Sequence, residues 1–328
     1  MTILQVWFPF LRRFRRNSNV MKDAQATMRR IGLGLIEERV QDKDTLGRDI
    51  LSILVRSNAG ASASSESMSA EEVLCQISTF IAAGHETTAS ALTWCLYALI
   101  QNPDIQLKLR EELGSVEKRL RQTNPGLSDT DAEPLLTEQL AKCQYLDWFI
   151  REALRLHAPI TSTMRVCMRD EDVVPVSDTD EVGFCAGNRP AGIRLKKMDI
   201  ITIPIQAINK SKNLWGDDAL LFRPERWAQV PGKAKAIPGL YSSILTFLNG
   251  NPVDGNRACI GYKFALLEMK IFLYALVKDI EFRAVPSLVI EKKINVVTRP
   301  FVKSEPGLNN QLPVLIRRAV PLDTYMTP

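Results

Sequence analysis

Histidine is nearly missing: two residues in 328, His85 and His157. None of the six cysteines (Cys75, Cys95, Cys143, Cys167, Cys185 and Cys259) stands three positions from another. A zinc site and a disulfide framework are therefore not expected, and the pattern suits a reducing environment. No apolar run is long enough to span a bilayer. No long basic stripe interleaved with aromatics is present, so the net charge of +5 does not call for nucleic acid. What remains is an ordinary globular composition, 45% hydrophobic and 24% charged, long enough to bury a large core.

The opening "MTILQVWFPFLRRFRR" has a short apolar run broken by Pro9, then four arginines. Three readings stay open for residues 1–20. They can be a cleaved targeting segment, a membrane-facing element with arginines toward phosphates, or a core segment whose partners lie upstream. "MKDAQATMRRIGLGLIEERVQ" and "LGRDILSILVRS" show helical spacing, and "NAGASASSES" reads as a small polar loop. Ser69 and Glu72 have capping-box spacing and open a helix that runs without proline to "QNP", roughly nine turns at 3.6 residues each. "DIQLKLREELGSVEKRLRQ" predicts a helix with a solvated basic face. "QTNPGLSDTDAEP" reads as a loop, and "YLDWFIREALRLHAP" as a helix stopped by Pro159. After Thr161 short β-branched runs appear: "DVVPV", "DIITIPI", "SLVIEKKINVV" and "LPVLIRR". The chain reads as one mainly α domain, 1–328, with a minor β region that looks like a small sheet.

Four stretches carry chemistry. In "GNRACIG", Cys259 follows Arg257 and precedes Gly261, where a helix starts; nearby positive charge and a helix N-terminus both favour a thiolate. A lone cysteine is also the common profile of a packing residue. In "AAGHETTAS", Ala82, Ala83 and Gly84 leave a groove for a flat group, and Gly84 costs the helix about 1 kcal/mol relative to alanine. Glu86 beside Thr87 and Thr88 suits a proton relay, or else the threonines bond back to carbonyls and Glu86 faces solvent. In "EALR", Glu152 and Arg155 share a helix face. In "FRPERW", Arg226 offers a fork that can complete that pair.

Taken in order, "AGHETT", "EALR", "FRPERW" and "GNRACIG" resemble the cytochrome P-450 family of haem-thiolate monooxygenases, from about Met21 to the C-terminal region. "TASALTWCLYAL" and "GYKFALLEMK" look like a fungal branch. The resemblance implies the C-terminal part of that fold, with a haem between the long central helix and the cysteine loop. Cys259 would be the axial thiolate of the iron, whose electron donation favours O–O cleavage. Arg257 and Arg165 would meet haem propionates, and Phe247 would pack near the sulfur. Ala83 and Gly84 would lie over the distal face. Thr87, with Glu86, would deliver protons to dioxygen. Glu152, Arg155 and Arg226 would form a buried network under the cysteine region. The implied reaction inserts one oxygen atom of dioxygen into a hydrophobic small molecule. Its electrons would come from NADPH through a flavoprotein reductase that meets basic residues such as Lys263 and Lys270. The full-length family member would sit on the cytosolic face of the endoplasmic reticulum membrane. The pocket would be lined from Phe80–Thr88, Ile160–Met164 and Pro300–Val302.

Two departures from the family pattern bear on activity. The cysteine motif F-x-x-G-x-R-x-C-x-G fits once five residues, "NPVDG", are removed between Gly250 and Asn256. They are a surface bulge, a displacement of Arg257 and Phe247, or an error in deriving the sequence. Family members also carry a much longer N-terminal part, with an anchor and early helices, so this chain is expected to hold haem poorly by itself. Two other functions compete. One is a non-catalytic remnant of the family acting at most as an interaction partner. The other is a helical protein with Cys259 as a nucleophile, for which only His85 or His157 could serve as base.

Overall fold

The computed structural model describes residues 18–41, 50–60, 68–126, 128–175, 192–249, 257–308 and 310–319. The start of the chain, most of the polar loop after Gly60, Cys185, Gly250 and the "NPVDG" residues lie outside these. The chain forms two compact units, Met1–His85 and Glu86–Pro328.

The first unit holds α1 (Ser18–Gln41), α2 (Ile50–Gly60) and the first half of α3 (Ala70–Gln101). The second helix continues through Asn58 to Gly60, where a loop was expected. The capping box forms as spaced. The Ser69 backbone N–H donates to Glu72 Oε2 at 2.7 Å, and the Glu72 N–H donates back to Ser69 Oγ at 3.3 Å. Two orphan donors of the first turn are thereby satisfied. At 32 residues the helix is as long as its apolar pattern indicates.

In the second unit Asn102 precedes α4 (Pro103–Thr123) without a side-chain cap bond, its amide donating instead to the Ala98 carbonyl at 2.8 Å, and Pro103 at the first helical position needs no partner for a missing N–H. This helix buries Ile105, Leu109, Leu113 and Val116, one stripe at helical spacing. Its basic face is not wholly solvated. Arg110 is buried and donates from Nε to the Val277 carbonyl at 2.9 Å and from Nη2 to that of Ile280 at 2.9 Å. The expected loop "QTNPGLSDTDAEP" is mostly helical, since α4 runs to Thr123 and α5 spans Asp129–Lys142. This helix tolerates Pro134 in its interior, at the loss of one backbone bond, and has Lys142 in its last turn. Next comes α6, Gln144–Leu156, which buries Leu146, Phe149, Ile150, Ala153 and Leu154. Its first turn is capped from α4, whose Glu112 accepts the Tyr145 and Leu146 N–H groups at 3.0 and 2.8 Å.

Among the described residues the β region is four antiparallel two-stranded ribbons and not one small sheet. Thr163–Val166 (β1) pairs with Ile200–Ile203 (β4), and Glu171–Pro175 (β2) with Gly192–Lys196 (β3). Ile280–Ala284 (β5) pairs with Val314–Arg318 (β8), and Ile290–Ile294 (β6) with Thr298–Val302 (β7). Each strand has only four or five residues, and a two-stranded ribbon of that length is marginal without packing against other structure. Short helices α7 (Ile205–Asn209), α8 (Lys212–Trp215) and α9 (Gly232–Lys235) lead to the cysteine segment, and α10 (Tyr262–Val277) follows it. The fold is mainly α with minor β, as expected. No helix among the described residues is long and apolar enough to cross a membrane.

Candidate functional site

The site grows out of a buried acid. Glu152 on α6 is fully enclosed, and an enclosed carboxylate must be paired and hydrogen-bonded. Arg155, one turn on, donates to both its oxygens at 2.9 and 2.8 Å. Arg226 adds a contact at 3.3 Å, the Trp227 Nε1–H one at 3.1 Å and the Arg223 N–H one at 3.0 Å. Five donated bonds thus saturate one carboxylate, and the expected Glu152–Arg155–Arg226 set is assembled. Arg226 also donates to Asp218 Oδ1 at 2.7 Å and holds that carboxyl below its usual range.

From this network bonds lead to the cysteine segment. Arg155 Nη1 donates to the carbonyls of Asn209 at 3.0 Å and Ala219 at 2.6 Å. The Asn209 side chain in turn accepts the Leu245 N–H at 2.9 Å and donates to Thr246 Oγ1 at 3.0 Å. Thr246 donates onward to the Leu154 carbonyl at 2.8 Å. Residues 245 and 246 are therefore fixed to α6 before the chain reaches Phe247.

Phe247 and Cys259 meet directly. The Cys259 N–H donates to the Phe247 carbonyl at 2.9 Å, so motif residues from either side of the expected insertion meet. Leu248 sits at φ 60°, a conformation costly for a bulky side chain, and its carbonyl accepts the Leu240 N–H at 2.9 Å. Beside this closure lies a cavity of about 220 Å³. Its lining includes Cys259, Arg257, Phe247, Thr87 and Thr88, with Ala91, Leu154, Pro159, Ile160, Ile205, Ala265 and Met269 as apolar wall. Cys259 is exposed with a free thiol, and Gly261 is the cap residue of α10 directly after it.

Several predicted residues lie elsewhere. Glu86 is outside the lining and pairs with Arg299 at 2.8 Å. Arg165 on β1 is not in the wall. Its Nη1 donates to the Met164 carbonyl at 2.8 Å and to Oγ1 of Thr163, itself a wall residue, at 3.0 Å. Ala83 and Gly84 are exposed on α3, in the first unit. A methyl built on Gly84 meets nothing within 4 Å. Thr87, Thr88 and Ile160 line the cavity as expected, whereas Met164 is 66% exposed and Pro300–Val302 are not in the wall. Lys270 is a correction. It was expected on a docking surface, yet it is 7% exposed, donates to the Ala141 carbonyl at 3.0 Å and faces Asp147 at 3.5 Å. The i, i+3, i+4 apolar run of α10 that carries it inward is its sequence signal. Thr163 falls within the expected Ile160–Met164 stretch, whereas Thr246, Ile205 and Met269 were not foreseen, because they reach the wall through tertiary packing.

The cytochrome P450 family model matches residues 2–303. Cytochrome P450 monooxygenase 205 of Postia placenta is 44% identical over 307 residues, which covers 90% of this chain and 52% of that one. Cytochrome P450 monooxygenase 128 of the same fungus is 39% identical and covers 91% and 53%. A ganoderic acid synthetase of Ganoderma lucidum is 35% identical and covers 82% and 46%. The chain thus spans about half the length of these curated relatives. A crystal structure of a cytochrome P450 superposes with TM-score 0.67 at 23% identity, over 98% of this chain and 60% of that one, which speaks for the fold. Family model, fungal relatives and fold agree with the cavity: the chain belongs to the cytochrome P450 family.

Proposed function

We propose that this chain is the catalytic C-terminal part of a haem-thiolate monooxygenase acting on a hydrophobic small molecule. One observation carries the reading. The cavity gathers Cys259, Arg257, Phe247 and Thr87 from distant parts of the sequence onto one apolar wall. The donor set suits a haem. A free, exposed thiol offers a soft ligand, an arginine offers a propionate partner, and the remaining wall is mostly apolar enough for a macrocycle. When bound, a thiolate-ligated haem iron supplies O–O cleavage and transfer of one oxygen atom to the substrate.

The chain's own residues do the rest. Cys259 is the iron ligand, and the Phe247 carbonyl fixes its backbone. Gly261 leads from Cys259 into α10. Arg257 holds a propionate, with Arg165 as a second donor beside Thr163. Thr87 lines the cavity and would serve as the proton relay. Glu86, held by Arg299 in the described conformation, reaches that relay only after letting go of the arginine. Ala83 and Gly84, by the family resemblance, would leave room for a flat group. The apolar wall excludes water and selects hydrophobic substrates. Electrons come from NADPH through a flavoprotein reductase, for which Lys263, exposed over the Tyr262 ring, is a docking residue. On this reading the whole protein works at the cytosolic face of the endoplasmic reticulum membrane, as the family resemblance implies.

The test is spectroscopic. The whole protein, supplied with haem, reduced and exposed to carbon monoxide, is expected to show the thiolate-type band, and Cys259→Ser to lose it. A colourless wild type, or a spectrum that survives the substitution, overturns the reading.

A further inference from the structure

Asp147, in the first turn of α6, lies outside the motifs that carry the family resemblance. Yet three donors from three elements meet its carboxylate. Arg151 Nε reaches Oδ2 at 2.6 Å, the Tyr241 hydroxyl donates to Oδ1 at 3.0 Å, and Lys270 Nζ stands 3.5 Å from Oδ1. Tyr241 belongs to the segment that enters the cysteine loop, and Lys270 to the helix that leaves it. Tyr241 is 8% exposed and Lys270 7%, while the Asp147 side chain is 24% exposed, so both interactions are only partly screened by water. The Arg151 guanidinium also lies over the Tyr241 ring, 4.8 Å from its centroid.

The connection from Tyr241 to the sulfur is short. Its ring packs edge-on against Phe247 at 5.8 Å, and Phe247 in turn lies 6.1 Å from Tyr262, the first residue of α10. The Phe247 carbonyl is the acceptor for the Cys259 N–H. One carboxylate thus ties down both limbs of the loop: the entering limb through Tyr241 and Phe247, the leaving limb through Lys270. This tie takes a different route from the Glu152 network, which reaches the loop by way of Asn209, though Arg151 also lies 5.8 Å from the Trp227 ring centroid.

We propose that Asp147 is a positioning residue for Cys259, clamping the two limbs of the cysteine loop together through Tyr241 and Lys270. The functional meaning of the clamp rests on the reading of Cys259 as the haem ligand; its existence does not. Burial and the Asp147 charge both hold the Tyr241 phenol above its usual range, so the phenol stays a donor at every working pH.

Hydrogen exchange of the Cys259 amide in the haem-free chain tests it, because that N–H is the bond that closes the loop. Asp147→Asn is expected to speed its exchange by about tenfold, or 1.4 kcal/mol of local stability, relative to amides inside α4. Tyr241→Phe and Lys270→Met each give part of the effect. Glu112→Gln is the control, since it weakens the start of the same helix without touching either limb. Unchanged exchange at Cys259 in Asp147→Asn overturns the proposal. So does an equal acceleration in Glu112→Gln, or one shared by the α4 amides, since either would mean general destabilisation. The carbon monoxide spectrum of the whole protein reports separately on haem ligation, so failure of that reading leaves this result interpretable.

Discussion

Glu152 carries five donated bonds in full burial, so its removal strands two guanidinium groups without their shared acceptor. Glu152→Ala is expected to destabilise the second unit by about 3–5 kcal/mol, read from denaturant midpoints; a loss under about 1 kcal/mol would mark the pair as a mere surface bridge. Lys292 is the opposite case, a buried ammonium with no acid paired to it among the described residues. Its Nζ has no hydrogen-bond partner there and lies 4.6 Å from the centroid of the Trp94 ring, whose indole also stacks on His157 at 4.7 Å. Burial, helped by Lys210, pushes Lys292 down to about 7. The unfolded chain keeps that proton until about pH 10.4. Between those values the unfolded state binds more protons, so this residue makes stability rise with pH, and its cost is fully present below about 7. Urea midpoints taken on both sides of neutral pH should climb less steeply in Lys292→Met than in the wild type; parallel curves would refute the assignment. At this scale the sequence showed which residues share a helix face, Glu152 with Arg155, and motif order supplied Arg226. It did not show Asp147 as more than a helix acid, because Tyr241 and Lys270 reach it only through the tertiary fold.

Among the elements, α3 was the most legible, since a capping box opens it and Asn102–Pro103 closes it. Its glycine separates two energies. Gly84 has open space where an alanine methyl would stand, so Gly84→Ala should stabilise the haem-free chain by up to about 1 kcal/mol. If the glycine keeps the distal wall low, the same change weakens haem uptake by the whole protein. A thermal melt and a haem titration on one variant decide the matter: gains in both would remove Gly84 from the site. The start of α5 and the four ribbons were less legible for different reasons. A polar run ending in a proline looks like a turn, yet the chain carries Pro134 inside a helix. Runs such as "SLVIEKKINVV" announce strands but not their partners, and β6 pairs with β7 at "TRPFV", where a proline obscures the strand pattern.

For the molecule as a whole, the telling comparison is between chain order and space. The cysteine motif is broken by "NPVDG" in sequence, but Phe247, Arg257 and Cys259 border one cavity and the Cys259 N–H reaches the Phe247 carbonyl. Loop closure changes slowly with length, by about 0.6 kcal/mol per doubling. Deleting Asn251–Gly255 should therefore shift stability by less than about 1 kcal/mol and leave exchange at the Cys259 amide as it was. A large loss, or a freed amide, would make those five residues a structural part of the site. If the shift is small, the bond across the gap turns the intervening stretch into neutral ground for drift. Codons can then accumulate or disappear between the two rims, three bases at a time, while selection goes on seeing an unmoved sulfur.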